Sequence, residues 1–150
     1  HLAIARAIGD RRGEGKALGN LGLAWAALGE LRRAITFFEQ QLTITRETGY
    51  HRGEANALGS LGIVWKNLGE TRKGIEYYEQ QFIIAREIGD RRGEGNALWN
   101  MALAHEMLNE PEQALEKATT GFVIYRAIED PNAANVADWL REHGVDPDSL

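Results

Sequence analysis

Apolar side chains fall at intervals of three and four along most of this chain, and the pattern restarts after each short polar joint. Ala17, Leu18, Leu21, Trp25 and Leu28 make one stripe, which predicts a helix over 11–28 that Gly29 stops. Ala34, Ile35, Phe38, Leu42 and Ile44 make the next, over 31–48, ended by Gly49. The same pair returns over 51–68 and 71–88, with Leu58, Leu61, Trp65 and Leu68 answered by Ile75, Tyr78, Phe82 and Ile84. A third pair is expected over 91–108 and 111–128, its second helix opened by Pro111, where a missing N–H costs nothing. No strand-like alternation interrupts these helices.

The pattern is a true repeat. "GDRRGEGKA" at 9–17 returns at 89 as "GDRRGEGNA" and more loosely at 49 as "GYHRGEANA", a period of 40 residues, and about half of one forty-residue unit recurs identically in the next. This divides the chain into the end of a preceding unit (1–9), repeats over 10–49, 50–89 and 90–129, a final helix over 130–144 and a tail over 145–150. Gly9, Gly49 and Gly89 are expected to end helices in the left-handed conformation, and Asp10 and Asp90 to cap the helices that follow. Gly22 and Gly62 lie inside helices, where glycine costs roughly 1 kcal/mol relative to alanine, so a partner helix should approach closely there. One antiparallel pair cannot bury its own apolar face, and stacking of units is required.

Those residues together resemble the tetratricopeptide repeat family: Leu21–Gly22 and Leu61–Gly62, the aromatics Trp25 and Trp65, Gly29 and Gly69 between helices, small Ala34 and Ala114, and Phe38 and Tyr78. The resemblance covers essentially the whole chain. The 40-residue unit is similar to the variant of kinesin light chains, spindle-orientation adaptors and bacterial arrays attached to signalling ATPases. It departs from the usual pattern at Gly74, Gln41 and Gln81, which stand where the family has alanine. The resemblance implies an all-α, right-handed superhelical array of antiparallel helix pairs, an α-solenoid. At its end, Ala133, Val136, Ala137 and Leu140 form one stripe while Asn135, Asp138, Arg141 and Glu142 face away, as in a capping helix.

Charge and composition narrow the function. A net charge of −5 with no basic block argues against nucleic acid, whose binding draws on clustered Lys and Arg. No apolar run reaches the ~20 residues needed to span a bilayer. The chain has no cysteine, which removes disulfides and thiolate chemistry and fits a reducing, cytoplasmic setting. The glycine-rich "GDRRGEGKA" is not a phosphate loop, because Asp10 stands where the first glycine should be, Ala17 replaces the hydroxyl residue, no strand precedes it, and Asn96 replaces Lys16 in the third copy. "HEMLN" at 105–109 lacks the second histidine of a zinc-protease helix, and His105 occupies the packing position of Trp25 and Trp65. Glu30, Glu39, Glu70 and Glu79 recur with the repeat and read as solvated helix faces. The chain is therefore expected to be non-enzymatic, with no cofactor and no metal.

The candidate site is a ladder on the first helix of each unit. Arg12, Lys16, Asn20, Leu23 and Ala27 share one face, as do Arg52, Asn56, Ser60, Ile63 and Asn67, and Arg92, Asn96, Asn100, Leu103 and Met107. Carboxamides offer donors and acceptors to a peptide, and the arginines favour carboxylates, so the partner expected is a protein or peptide with an acidic segment. The competing expectation is that these arginines are solvated or pair with Glu14, Glu54 and Glu94. By the resemblance, this face lines the concave groove, and Asn20 and Asn100 match the asparagine that bonds peptide backbone, with Ser60 a weaker substitute. Trp99 stands where Gly19 and Gly59 stand; either it fills a gap beside the final helix, against Trp139, or it projects into the groove as an anchor. Two alternatives remain: self-association through Leu2, Ile4 and Ile8 of an open N-terminal face, and a sensor segment of a larger signalling ATPase.

Overall fold

The computed structural model describes residues 2–150, with the side chains of Leu2, Ile4, Ala5 and Arg6 outside the described set. Among the described residues there are seven α-helices, one terminal 3-10 turn and no strand: α1 (Leu2–Ala27), α2 (Leu31–Thr48), α3 (His51–Asn67), α4 (Thr71–Glu87), α5 (Arg91–Met107), α6 (Pro111–Ala127) and α7 (Asn132–Glu142). Neighbouring helices pack on one another as antiparallel pairs. The chain divides into two compact units, residues 1–77 and 78–150, with the boundary inside α4.

The joints keep time with the repeat. Positive φ occurs at Gly29, Gly49, Gly69, Gly89, Asn109 and Glu129, one left-handed residue every twenty. At Gly49 the next amide, that of Tyr50, returns to the Thr45 carbonyl, and at Gly89 that of Asp90 returns to Ala85. Asp90 then accepts the Gly93 N–H at 3.0 Å and caps α5 as expected.

The first joint corrects the sequence reading. Gly9 and Asp10 lie within α1, which runs through them without a turn, so Gly9 ends no helix and Asp10 caps none. The physical reason is packing. At the Gly89 turn, the end of α4 lies against α5, where Ala85 is fully buried and its Cβ is 3.1 Å from where a Gly93 side chain would begin. A side chain at Gly9 or Gly13 would meet nothing within 4 Å. With no burial to offset a turn, the continuous helix keeps its backbone hydrogen bonds.

In the first unit α2 packs on both α1 and α3. Ala34, Ile35, Phe38, Leu42 and Ile44 are all buried. Gly22 permits the expected close approach, since a Cβ there would stand 2.6 Å from the Phe38 ring. Gly74 has a similar reason for being smaller than alanine: its Cβ would fall 2.7 Å from the Gly62 carbonyl oxygen. On α1, however, the expected stripe is only partly covered. Leu21 is 45% exposed and Leu28 73%, whereas Leu61, one repeat on, is fully buried.

The second unit packs α6 on α5 and α7 on α6. Its core joins Ala102, Ala114, Ala118, Phe122 and Tyr125 to Val136, Ala137, Trp139 and Leu140 of α7, whose stripe is the one expected. Asn135, Asp138, Arg141 and Glu142 are exposed, which gives α7 the polar back of a cap. Pro147, in the 3-10 turn Pro147–Ser149, is also buried.

Candidate functional site

Each first helix presents its ladder positions mainly to solvent. Arg12, Lys16, Asn20, Leu23, Arg52, Asn56, Ile63, Asn67, Arg92 and Met107 are exposed, and Ser60, Asn96, Asn100 and Leu103 are partly so. Three of these residues meet. Arg12 and Lys16 of α1 and Asn56 of α3 line one cleft of about 490 Å3 in the first unit, together with Gln41, Thr45 and Tyr50.

The floor of this cleft is built by small residues. Gly13, Gly15 and Gly53 line it, and Gly15 lets α2 come close enough that a Cβ there would lie 3.1 Å from Ile44. A larger residue at Gly53 would strike the Tyr50 ring at 2.5 Å. The Arg12 guanidinium sits 5.3 Å from the centre of that ring, within cation–π range, so the cation is oriented without being neutralised. Gln41 packs against Gly19, whose Cβ would stand 2.5 Å from its amide nitrogen. The cleft thus combines two cations, two carboxamides, a hydroxyl and an aromatic wall.

Sequence reasoning overlooked Gln41, Thr45 and Tyr50, which come from α2 and the α2–α3 joint. One signal was available: Tyr50 breaks the repeat at the position that Asp10 and Asp90 hold. The expected pairing of ladder arginines with Glu14 and Glu94 belongs instead to their neighbours. Arg11 binds Glu14 and Glu47, and Arg91 binds Glu94 at 2.7 Å.

In the second unit the ladder is engaged within the fold. The Arg92 Nε donates to Asp130 at 2.7 Å, and the Tyr125 hydroxyl donates to Asn96 Oδ1 at 2.5 Å. Burial pushes the Tyr125 hydroxyl well above its ordinary range and keeps it a donor. Asp130 is held below the usual carboxylate range, first by the backbone N–H of Asn132 at 2.8 Å and then by Arg92. Trp99 meets Trp139 edge to face, with centroids 5.8 Å apart, and packs at the margin of the core beneath α7. Its bulk has a counterpart across the pair. Gly121 stands where the earlier units carry Gln41 and Gln81, and it lies against the Leu98 Cβ and the backbone of Gly95 and Trp99.

Among the described residues, no group of three His, Asp or Glu side chains is placed to hold a metal, and no helix is long and apolar enough to cross a membrane. The His105 Nδ1 lies 3.1 Å from Glu110 Oε1.

Residues 17–49 match the family model of the tetratricopeptide repeat. No curated protein matches the chain. Among solved structures, the TPR domain of Arabidopsis FLU superposes with a TM-score of 0.74 at 20% identity, covering 78% of this chain and 98% of that domain. BtubC (BKLC) from P. vanneervenii superposes with a TM-score of 0.65 at 15% identity over 85% of this chain, which spans 62% of BtubC. Over residues 17–49 the chain thus matches the tetratricopeptide repeat, and it shares the paired-helix fold of a solved TPR domain.

Proposed function

We propose that this chain is a non-enzymatic protein-binding module whose first-unit cleft takes an acidic peptide segment. The observation that carries the reading is the meeting of Arg12, Lys16 and Asn56 in one concave site. Two cations side by side attract carboxylates, and the Asn56 and Gln41 amides can exchange hydrogen bonds with the peptide backbone. The other ladder residues of the first unit, Asn20, Arg52, Ser60 and Asn67, would extend the contact along a longer peptide, while Arg92, Asn96 and Asn100 offer a separate set in the second unit. Arg92 and Asn96 would first have to leave Asp130 and Tyr125.

The test is fluorescence anisotropy with a labelled peptide rich in Asp and Glu, beside its Asn and Gln counterpart, at low salt. Arg12→Ala and Lys16→Ala are each expected to weaken the acidic peptide about tenfold, the scale of one charge-assisted hydrogen bond. Added salt should erase much of the difference between the two peptides. Equal affinity for both peptides, or no change in the double variant, would remove the electrostatic reading.

A second reading is self-association through α1, and the exposure of Leu21 and Leu28 favours it. Ile8 is 42% exposed but lies on another side of α1 from Leu21, while the side chains of Leu2 and Ile4 lie outside the described residues.

A further inference from the structure

A second cleft, of about 310 Å3, opens in the other unit between the C-terminal ends of α5 and α7 and the start of α6. Ala114, Pro111 and the edge of the Trp139 indole give it apolar walls, and Glu106 and Glu110 bring two carboxylates to it. Beside these carboxylates the lining holds the His143 imidazole, but no Lys or Arg. We propose that this cleft binds the side chain of a lysine on a protein partner, with the butyl stem against the apolar walls and the ammonium at Glu106. The site is separate from the acidic-peptide cleft of the first unit and stands or falls without it.

The surrounding contacts hold Glu106 in place. Its Oε2 accepts the Trp139 indole N–H at 2.6 Å and faces the His143 Nε2 at 3.0 Å, while the side chain stays 46% exposed. Fixing one oxygen in this way orients the carboxylate before any ligand arrives, which lowers the cost of binding. The chemistry is also peculiar to this unit. Ala26 and Lys66 occupy the equivalent position in the two earlier repeats, so the third carries a carboxylate where the second carries a cation. Lysine fits better than arginine. One indole face of Trp139 is stacked on His143, with centroids 3.7 Å apart, and the ring also meets Trp99. Little aromatic face is left for a guanidinium to stack on, whereas a compact ammonium needs only the carboxylate and a path for its stem.

The experiment is an NMR titration of the whole chain with acetyl-Gly-Lys-Gly-amide and with its norleucine counterpart, following the Trp139 indole N–H. The lysine peptide is expected to shift that resonance and to bind roughly tenfold or more tightly than the norleucine peptide, the worth of one charge-assisted contact. Glu106→Gln keeps an acceptor for the indole and should bring the two peptides to similar affinity. The comparison of peptides on the unaltered protein holds even if that variant folds poorly. Equal shifts by both peptides would make the cleft merely apolar, and no shift by either at millimolar concentration would mean no site; both overturn the proposal.

Discussion

Gly9 and Gly89 stand in nearly the same eleven residues, ARAIGDRRGEG at 5–15 and AREIGDRRGEG at 85–95, yet one is helical and the other turns the chain. The same substitution should therefore act in opposite directions. At Gly9, where a Cβ meets open space within a helix, Gly9→Ala is expected to stabilise by up to about 1 kcal/mol. At Gly89, with φ of +74°, Gly89→Ala forces a side chain into the left-handed region and should cost about 1–2 kcal/mol. Urea midpoints of the two variants check this directly, and equal signs would contradict the continuous helix. Trp99 teaches a related lesson in packing. Trp139 was one of the two partners its sequence position offered, and the edge-to-face contact with it, beside the room left by Gly121, is a property of the fold.

Helices α2 to α6 owe their lengths to the twenty-residue spacing of left-handed residues, and their partners to what lies on each face. Asp130 shows how one residue joins elements. It accepts the Asn132 N–H at the start of α7 and the Arg92 guanidinium of α5. Both favour the charged form, so its carboxyl titrates below the ordinary value. The resulting stabilisation is present above the unfolded carboxyl value of about 4 and is lost as pH falls below it through the lower folded value. Asp130→Asn is expected to flatten that acid limb, and urea unfolding of both proteins between about pH 5 and pH 2 measures it. An unchanged slope would mean that the Arg92 contact carries no pH-dependent stability.

At the scale of the whole molecule, the exposed Leu21 of α1 and Leu28 of the turn that follows offer an apolar surface to a partner. Apolar faces of this kind favour association, and if two copies join through it the contact is closed by a two-fold axis or extends as a filament. Light scattering behind a sizing column, over a hundredfold range of concentration, is expected to show a species larger than 16.7 kDa that Leu21→Glu and Leu28→Glu return to monomer. A monomer throughout would leave peptide binding as the remaining activity. The acidic-peptide experiment is independent of this outcome, because Arg12, Lys16 and Asn56 line a cleft between α1 and α3 rather than the α1 face that carries Leu21 and Leu28.

Periodicity alone carried the helices, their pairing and nearly every joint, because apolar spacing and left-handed glycines are local properties that every repeat states again. The ladder was legible for the same reason, as a recurrence of polar positions on one helix face. What those residues do depends on neighbours that the period does not encode. Tyr50 and Gln41 turn three ladder residues into a cleft, while Asp130 and Tyr125 draw Arg92 and Asn96 into the fold. The joint at Gly9 was misread because its residues are those of a turn, and a turn forms only where packing beyond it offsets the backbone hydrogen bonds given up. Local sequence supplied the capacity to turn at both glycines, and burial at Ala85 and Gly93 was the condition met at one of them.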